Sequence, residues 1–232
     1  MTKTTRKPAD HRPGVAAQRR AKMQARLFSA ALTVLSKKQL HEISVTDLIL
    51  EGNVSRGTFY NYFDALSQVF LALSARLDAE LPALVDPWIV RMPDAATRLA
   101  TGTRLILQVG SNIPIFGKLM MQGGWTAVRG PSTFMGFLQR DINAAMAQGT
   151  FDAMPTSLAV NLVIGPLLGG LQTMLLEPTR PDYAQQLTLR MLLSLGMARA
   201  AAAQAIQVPI PALDWPSDGV VGEILRCSAG RR

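Results

Sequence analysis

The sequence predicts an all-α protein with an N-terminal three-helix helix-turn-helix domain and a larger helical C-terminal domain. Three observations predict this fold class. Apolar residues recur at three- and four-residue steps, no segment alternates with the period of two that marks a strand, and residues 44–63 contain a short helix–turn–helix pattern. The chain has 232 residues, of which 48% are hydrophobic and 17% charged, which is sufficient for a large core and atypical of disorder.

Positive charge is concentrated at the N-terminus. Residues 1–41 contain ten Lys or Arg and one acid, Asp10, which gives +9, so the rest of the chain sums to −1 within a total of +8. A basic head on a near-neutral body favours a nucleic-acid partner. Residues 1–14 form a basic arm that is either a solubilising tail or a segment that contacts DNA.

The composition limits the chemistry. The single Cys227 excludes an internal disulfide and a cysteine metal cluster, and His11 and His41 are too few for a histidine-rich metal site. The sequence lacks a phosphate-binding loop, a dinucleotide-binding glycine motif, a serine-hydrolase motif and an H-E-x-x-H motif. We therefore expect no enzyme activity, no metal and no cofactor. Since there is no apolar signal segment at the N-terminus, we expect a cytoplasmic protein.

The first predicted element is a long helix over residues 15–38. Its apolar stripe comprises Met23, Leu27, Phe28, Ala31, Val34 and Leu35. Arg19, Lys22 and Arg26 fall on another face, which is either a solvated surface or a row of contacts to phosphate.

The stretch SVTDLILEGNVSRGTFYNYF, residues 44–63, predicts two short helices around a sharp turn. Ser44 begins an S-x-x-D pattern, which favours a helix start because the hydroxyl and the carboxylate satisfy free backbone amides. Gly52 and Asn53 are the residue types that most readily adopt a left-handed turn. Ser55 caps the second helix.

The second short helix, Arg56 to Tyr62, has an inward and an outward face. Phe59 and Phe63 turn inward. The outward side chains suit DNA in the major groove, because Asn pairs with adenine and Arg with guanine or phosphate. The predicted DNA-binding residues are Thr46, Ser55, Arg56, Gly57, Thr58, Tyr60, Asn61 and Tyr62. An ordinary helical hairpin is the alternative, and two of the chain's three tyrosines on a solvent face disfavour it.

This stretch, above all VSRGTFYNYF at residues 54–63, resembles the DNA-binding domain of TetR-family transcriptional regulators. The resemblance covers residues 16–75. It implies double-stranded DNA as a partner, a homodimer on a palindromic operator, a repressor role, and a C-terminal domain that binds a small-molecule effector. Three positions depart from the family pattern: Asn53 replaces the usual Gly, Ile49 the usual Ala, and Leu66 a Lys that contacts phosphate.

Further helices are expected after Asp64. The first of them should end at Pro82 and Pro87, and the others span about 94–110, 114–128, 132–148, 155–176 and 181–205. The uncharged stretch from Ala153 to Leu176 is long enough to cross a membrane. Asn161 and Pro166 interrupt it and no basic cluster flanks it, so we favour a buried helix at a dimer interface and no membrane partner.

Following the resemblance, Met and aromatic residues of the body would line a pocket for an apolar or aromatic effector. The alternative is that they fill the core. The candidate pocket residues are Arg104, Phe116, Met120, Met121, Trp125, Phe134 and Phe137. Arg104 would bind an anionic group of the ligand or, alternatively, pair with Asp141 or Glu177.

The expected organisation is a basic arm (1–14), a helix-turn-helix domain (15–64), a ligand-binding and dimerisation domain (65–206) and an irregular tail (207–232). Apolar residues of the tail, including Trp215, would dock it on the body. Two other interpretations remain open: a membrane-associated helical protein, and a small-molecule- or acyl-binding protein whose basic head is incidental.

Overall fold

The computed structural model describes residues 12–129, 132–210 and 212–229, and the regular structure in these ranges is helical throughout. The predicted all-α fold class is confirmed. A 3-10 helix, Leu40–Glu42, accompanies the α-helices, which are α1 (Arg12–Lys37), α2 (Val45–Glu51), α3 (Arg56–Tyr60), α4 (Leu66–Ile89), α5 (Ala95–Asn112), α6 (Pro114–Arg129), α7 (Thr133–Ala147), α8 (Thr156–Leu176), α9 (Tyr183–Ser194), α10 (Arg199–Ala205) and α11 (Gly219–Ala229).

The chain divides into two compact units, Met1–Val69 and Phe70–Arg232. In the first unit, α1 packs against α2, and α2 against α3. Phe59 and Phe63 are buried, as predicted. The centroid of the Phe63 ring lies 5.7 Å from that of Phe28 and 6.1 Å from that of Phe59. This aromatic cluster fixes the orientation of α3 on the long helix.

The helices α5 and α8 form the centre of the second unit. α5 packs against α6, α7, α8, α9 and α10, and α8 also packs against α6, α7 and α9. The approach of α9 to α8 depends on Gly170, since a Cβ there would lie 2.1 Å from the Leu187 Cδ2 atom.

The helix α8 is, within the described part of the chain, the one that is long and apolar enough to cross a membrane. It runs without a break through Pro166. Of its most apolar stretch, 44% is buried inside this chain. Its contacts with four other helices therefore account for much of its uncharged composition.

The expectation that the fourth helix ends at its prolines is wrong. α4 continues through Pro82 and Pro87 to Ile89. Each proline removes one backbone hydrogen bond and crowds the preceding turn. Leu77, Leu81 and Ile89 are nevertheless buried along this helix, and we attribute its continuation to this packing.

The expected helix over 181–205 is interrupted. α9 ends at Ser194 and α10 begins at Arg199. Between them Gly196 has a φ of +88°, which is incompatible with a continuous right-handed helix. A Cβ at this position would lie 2.2 Å from the Asp152 carboxyl carbon, so a contact with a distant loop marks the break.

The segment after residue 207, expected to be irregular, contains α11. The amides of Val220 and Val221, in its first turn, donate to the Glu80 carboxylate at 2.9 and 3.0 Å. Because the capping carboxylate lies 140 residues earlier in the chain, no local capping pattern predicts the start of this helix.

Candidate nucleic-acid interface and ligand cavity

A reciprocal cap fixes the start of α2. The Ser44 amide donates to the Asp47 carboxylate at 2.9 Å, and the Asp47 amide donates to the Ser44 hydroxyl at 3.2 Å. Lys38 Nζ also donates to this carboxylate, at 2.7 Å. The hydrogen bond from Lys38, followed by those from Ser44, lowers the pKa of Asp47 from 3.8 to about 2. The predicted S-x-x-D helix start is confirmed.

The turn between α2 and α3 uses Asn53 as its left-handed residue. Its φ is +46°, whereas Gly52 has a right-handed helical conformation. The expectation that Asn tolerates the left-handed position is confirmed. Arg26 Nη2 donates to the Asn53 carbonyl oxygen at 3.2 Å, so this cation of α1 holds the turn.

The helix α3 is shorter than predicted and ends at Tyr60, with Asn61 as its C-cap. Ser55 Oγ accepts from the Thr58 amide at 3.0 Å, and the Ser55 and Thr58 hydroxyl oxygens are 2.8 Å apart. The Ser55 hydroxyl is therefore engaged in capping the helix. Asn61 and Tyr62 follow the last helical turn and are not part of the helix.

Most side chains predicted to contact DNA are accessible. Thr46, Ser55, Arg56, Gly57, Tyr60 and Asn61 are exposed, and Thr58 and Tyr62 are half-buried. The Arg56 guanidinium lies 5.9 Å from the centroid of the Tyr60 ring, and the Arg20 guanidinium lies 5.3 Å from that of Tyr62. Each tyrosine therefore holds a cation beside the exposed surface of α3.

The basic residues Arg19 and Lys22 of α1 are also exposed. Residues 12–14, assigned from the sequence to the basic arm, belong to the first turn of α1. Residues 1–11 of that arm lie outside the described residues. The exposed cations of α1 extend the positive surface of the first unit.

A cavity of about 100 Å³ lies in the second unit between α4, α5, α6, α7 and α8. Three of the predicted pocket residues, Phe116, Phe134 and Phe137, line it. Other apolar walls come from Leu81, Val85, Leu99, Val109, Leu138 and Val163. The cavity is therefore suited to an apolar molecule.

Polar groups of the cavity gather on α5 and α7. The buried Asp141 carboxylate accepts from Arg98 Nε and from Arg140 Nε, both at 3.0 Å. On the same wall, Thr103 Oγ1 lies 4.0 Å from the Met191 sulfur, which is a weak partner. Paired charges and one weakly bonded hydroxyl thus form the polar part of an otherwise apolar site.

The expectation that Arg104 binds a ligand anion or pairs with Asp141 or Glu177 is not met. Its buried guanidinium donates to the carbonyl oxygens of Ile206 and Val208. Burial lowers the pKa of Arg104. Arg104 does not line the cavity, and it instead fixes the chain that follows α10.

The remaining predicted pocket residues are dispersed. Met120 lines a second cavity, of about 230 Å³, between α4, α6 and α8. Met121 packs against the core, and the side chain of Trp125 lies outside the described residues. Asp78, on the wall of the second cavity, accepts from the Ser132 hydroxyl at 2.7 Å. That carboxylate serves to anchor the start of α7.

Comparison with known families identifies the second unit. Residues 94–207 match the family described as tetracyclin repressor-like, C-terminal domain. The second unit therefore carries a tetracyclin repressor-like C-terminal domain. The match spans α5 to α10 and so includes most of the first cavity's walls. No curated protein matches the sequence.

Solved structures have the same fold as this chain. RolR in complex with resorcinol gives a TM-score of 0.71 at 23% identity, covering 84% of this chain and 98% of RolR. FadR from Bacillus subtilis in complex with stearoyl-CoA gives 0.56 at 15% identity, covering 74% and 96%. TylP, a TetR regulator from Streptomyces fradiae, gives 0.54 at 12% identity, covering 79% and 90%.

Sequence reasoning missed the cavity residues that lie outside the family match. Leu81 and Pro82 reach the cavity from α4, and Leu213 and Trp215 reach it from the chain after α10. The apolar residues of the tail did indicate docking on the body. They could not indicate that the docking place is the cavity, since that depends on the packing of α4 and α5.

Proposed function

We propose that this protein is a cytoplasmic transcriptional regulator of the TetR family. It binds an inverted-repeat operator as a homodimer, represses transcription, and releases the DNA when a small apolar molecule occupies the first cavity. The exposed surface of α3 is the observation that carries this proposal. A capped helix anchored by Phe59 and Phe63 keeps Arg56, Tyr60 and Asn61 accessible at once.

The proposed DNA contacts follow from the chemistry of these side chains. Asn61 pairs with an adenine edge, and Arg56 binds guanine or a phosphate. Gly57 allows close backbone approach to the phosphate chain, and the Tyr60 and Tyr62 hydroxyls bind phosphate oxygens. Arg19 and Lys22 of α1 add contacts that are independent of sequence.

The proposed dimer interface uses the exposed side of α8. A Cβ built on Gly165 or on Gly169 meets nothing within 4 Å, so both positions face open space. They are one helical turn apart, and the exposed Leu158 and Leu176 lie about two turns away from them on the same face of this uncharged helix. Small residues at this spacing let a second helix pack closely. A two-fold axis at α8 would give each dimer two α3 helices for two half-sites.

The proposed effector is a small molecule with an apolar or aromatic body and a hydrogen-bonding group. The three phenylalanines of the cavity supply apolar walls, and Thr103 with the Arg98–Asp141 pair supplies polar partners. The complexes of RolR with resorcinol and of FadR with stearoyl-CoA support a small-molecule effector in this fold.

The proposed route of the signal is α4. This helix begins at Leu66, directly after the helix-turn-helix motif, and its later residues Leu81, Val85 and Ile89 line the cavity. A ligand that displaces these side chains moves α4. The two α3 helices of the dimer then no longer fit both half-sites, so the operator affinity falls.

Mobility shifts on the DNA upstream of the protein's own gene test the DNA assignment. We expect Asn61→Ala to weaken binding about tenfold or more, since a bidentate base contact is worth about 1–3 kcal/mol. Asn112→Ala, which removes an exposed asparagine at the end of α5, is the control and should bind like wild type. Wild-type affinity in Asn61→Ala would refute the assigned contact.

Sedimentation equilibrium tests the dimer interface. Gly169→Arg places a charge on the open side of α8 and should convert the dimer to a monomer. Gly136 of α7 also has nothing within 4 Å of a built Cβ, so Gly136→Arg should leave the dimer intact. A dimer in both variants would move the interface away from α8.

A further inference from the structure

The chain that follows α10 covers one side of the first cavity. We call the described residues 206–210 and 212–218 the strap. Leu213 and Trp215 of the strap line the cavity together with Leu81 and Val85 of α4. Trp215 is 36% exposed, so its ring lies between the cavity and solvent.

Arg104 of α5 holds the first end of the strap. Arg104 is 3% exposed, and its guanidinium donates to the carbonyl oxygens of Ile206 and Val208. A bidentate, buried cation on two backbone carbonyls is a strong anchor, since each carbonyl would otherwise lose its donor in a low-dielectric environment.

Glu80 of α4 holds the other end through α11. Its carboxylate accepts from the Val220 and Val221 amides at 2.9 and 3.0 Å, which caps the helix that the strap leads into. Gly219, with a φ of +67°, allows this approach, since a Cβ there would lie 2.6 Å from Glu80 Oε2. Arg226 Nη1 also donates to the Ser217 carbonyl oxygen.

The middle of the strap lacks comparable anchors. In the part of the chain that the structure describes, residues 212–216 make no backbone hydrogen bond. Apolar contacts of Leu213 and Trp215 with the cavity walls therefore hold this segment. A segment without backbone hydrogen bonds between two fixed ends opens locally at a lower free-energy cost than the helices around it.

We propose that the strap is the gate of the cavity and that Trp215 is the side chain that must move for a ligand to pass. This inference rests on the proposed ligand-binding function. Val208 and the residues after it lie outside the family match, which ends at residue 207. Because Glu80 and Leu81 are neighbours on α4, opening the strap acts on the helix that also forms the cavity wall.

The labelling rate of a thiol inside the cavity measures gate opening without a known ligand. Val163 is 1% exposed and lines the cavity. We would introduce Val163→Cys into a Cys227→Ser background of the full chain, which removes the single natural cysteine. The probe is methyl methanethiolsulfonate, a small apolar thiol reagent, and intact mass follows the reaction.

Trp215→Ala should increase the labelling rate about tenfold, because the middle of the strap loses its largest apolar contact. Trp88→Ala is the matched control: Trp88 is also 36% exposed but does not line the cavity. Equal labelling rates in the parent and Trp215→Ala, or equal acceleration by Trp88→Ala, would overturn the gate.

Glu80→Gln tests the second anchor. It weakens the cap of α11 and should increase the labelling rate about fivefold, in line with the usual effect of a lost helix cap. Glu177→Gln, at the exposed C-cap of α8, should leave the rate unchanged. Acceleration by both variants, or by neither, would contradict the role of Glu80 as the second anchor of the strap. If the wild-type protein did not bind DNA, or did not release it when an effector binds, the proposed function would be refuted. The labelling rates would not change, so failure of the proposed function is distinguishable from failure of the gate.

Discussion

The two units of this protein build their sites in opposite ways. In the first unit, most of the side chains that fix α3 lie within or next to it: Ser55 caps its start, and Phe59 and Phe63 anchor its inner face, where Phe28 of α1 packs on Phe63. In the second unit, the cavity is assembled from α4, α5, α6, α7, α8 and the strap, which are distant in sequence.

This difference predicts different responses to substitution. The exposed side chains of α3 contribute to DNA contact and little to stability, since surface groups away from caps and cores usually change stability by less than about 0.5 kcal/mol. The side chains of the cavity and its strap are part of the packing. Changes there should alter stability and ligand exchange together.

The largest expected effect is that of Phe59→Ala. Phe59 is fully buried, and removing a buried phenylalanine costs about 3–5 kcal/mol. We expect the first unit to unfold at much lower urea concentration and DNA binding to be lost, while the second unit retains its transition. Circular dichroism in urea measures this. Tyr60→Ala, at an exposed ring on the same helix, should bind DNA poorly but keep the wild-type transition.

If both unfolding transitions of Phe59→Ala shifted together, the two units would unfold as one, and the contrast drawn between them would be wrong. An unstable Tyr60→Ala variant would contradict the statement that the exposed side chains of α3 contribute little to stability.

Arg104→Met tests the same contrast in the second unit. It removes the donor of two backbone carbonyls, so we expect about 1–3 kcal/mol of destabilisation of the second unit. DNA affinity at low temperature should stay near wild type. Thermal unfolding measures the loss, and Arg190→Met, which removes an exposed arginine of α9, is the control. A fully stable Arg104→Met variant would mean that the anchor of the strap lies elsewhere.

The smallest expected effect concerns Asp47. Its pKa of about 2 lies below the ordinary 3.8, so its contribution to stability is present above about pH 4 and is lost as the pH falls towards 2. Lys38→Met removes the first cause of this shift, and the pKa of Asp47 should rise towards 3.8. Carboxyl carbon NMR titration measures it. An unchanged pKa would assign the shift to the Ser44 bonds alone.

The sequence predicted those features that neighbouring residues determine. The Ser44–Asp47 start, the left-handed Asn53 and the inward turn of Phe59 and Phe63 all depend on local spacing, and the structure has each of them. The end of α3 was placed two residues too late, at Tyr62, because helix ends depend on the few hydrogen bonds of the last turn.

The features that were wrong or missed depend on distant partners. α4 continues through Pro82 because its flanking side chains are buried, and α11 forms because Glu80 caps it. Arg104 was expected to bind a ligand anion or to pair with Asp141 or Glu177, but its partners are carbonyls beyond α10. A charged residue in an apolar stretch indicates burial, but one sequence does not show which group it meets.

The most direct test of the central claim is the salt dependence of DNA binding by the first unit's exposed surface. Fluorescence anisotropy would compare upstream and shuffled duplexes at about 50 and 200 mM salt. The account predicts that binding of the shuffled duplex collapses at the higher salt while a strong preference for the upstream duplex remains, and that Asn61→Ala loses this preference. If binding of both duplexes weakened in parallel, with equal affinities throughout, the first unit would bind DNA by charge alone, without base recognition. That result would contradict the account.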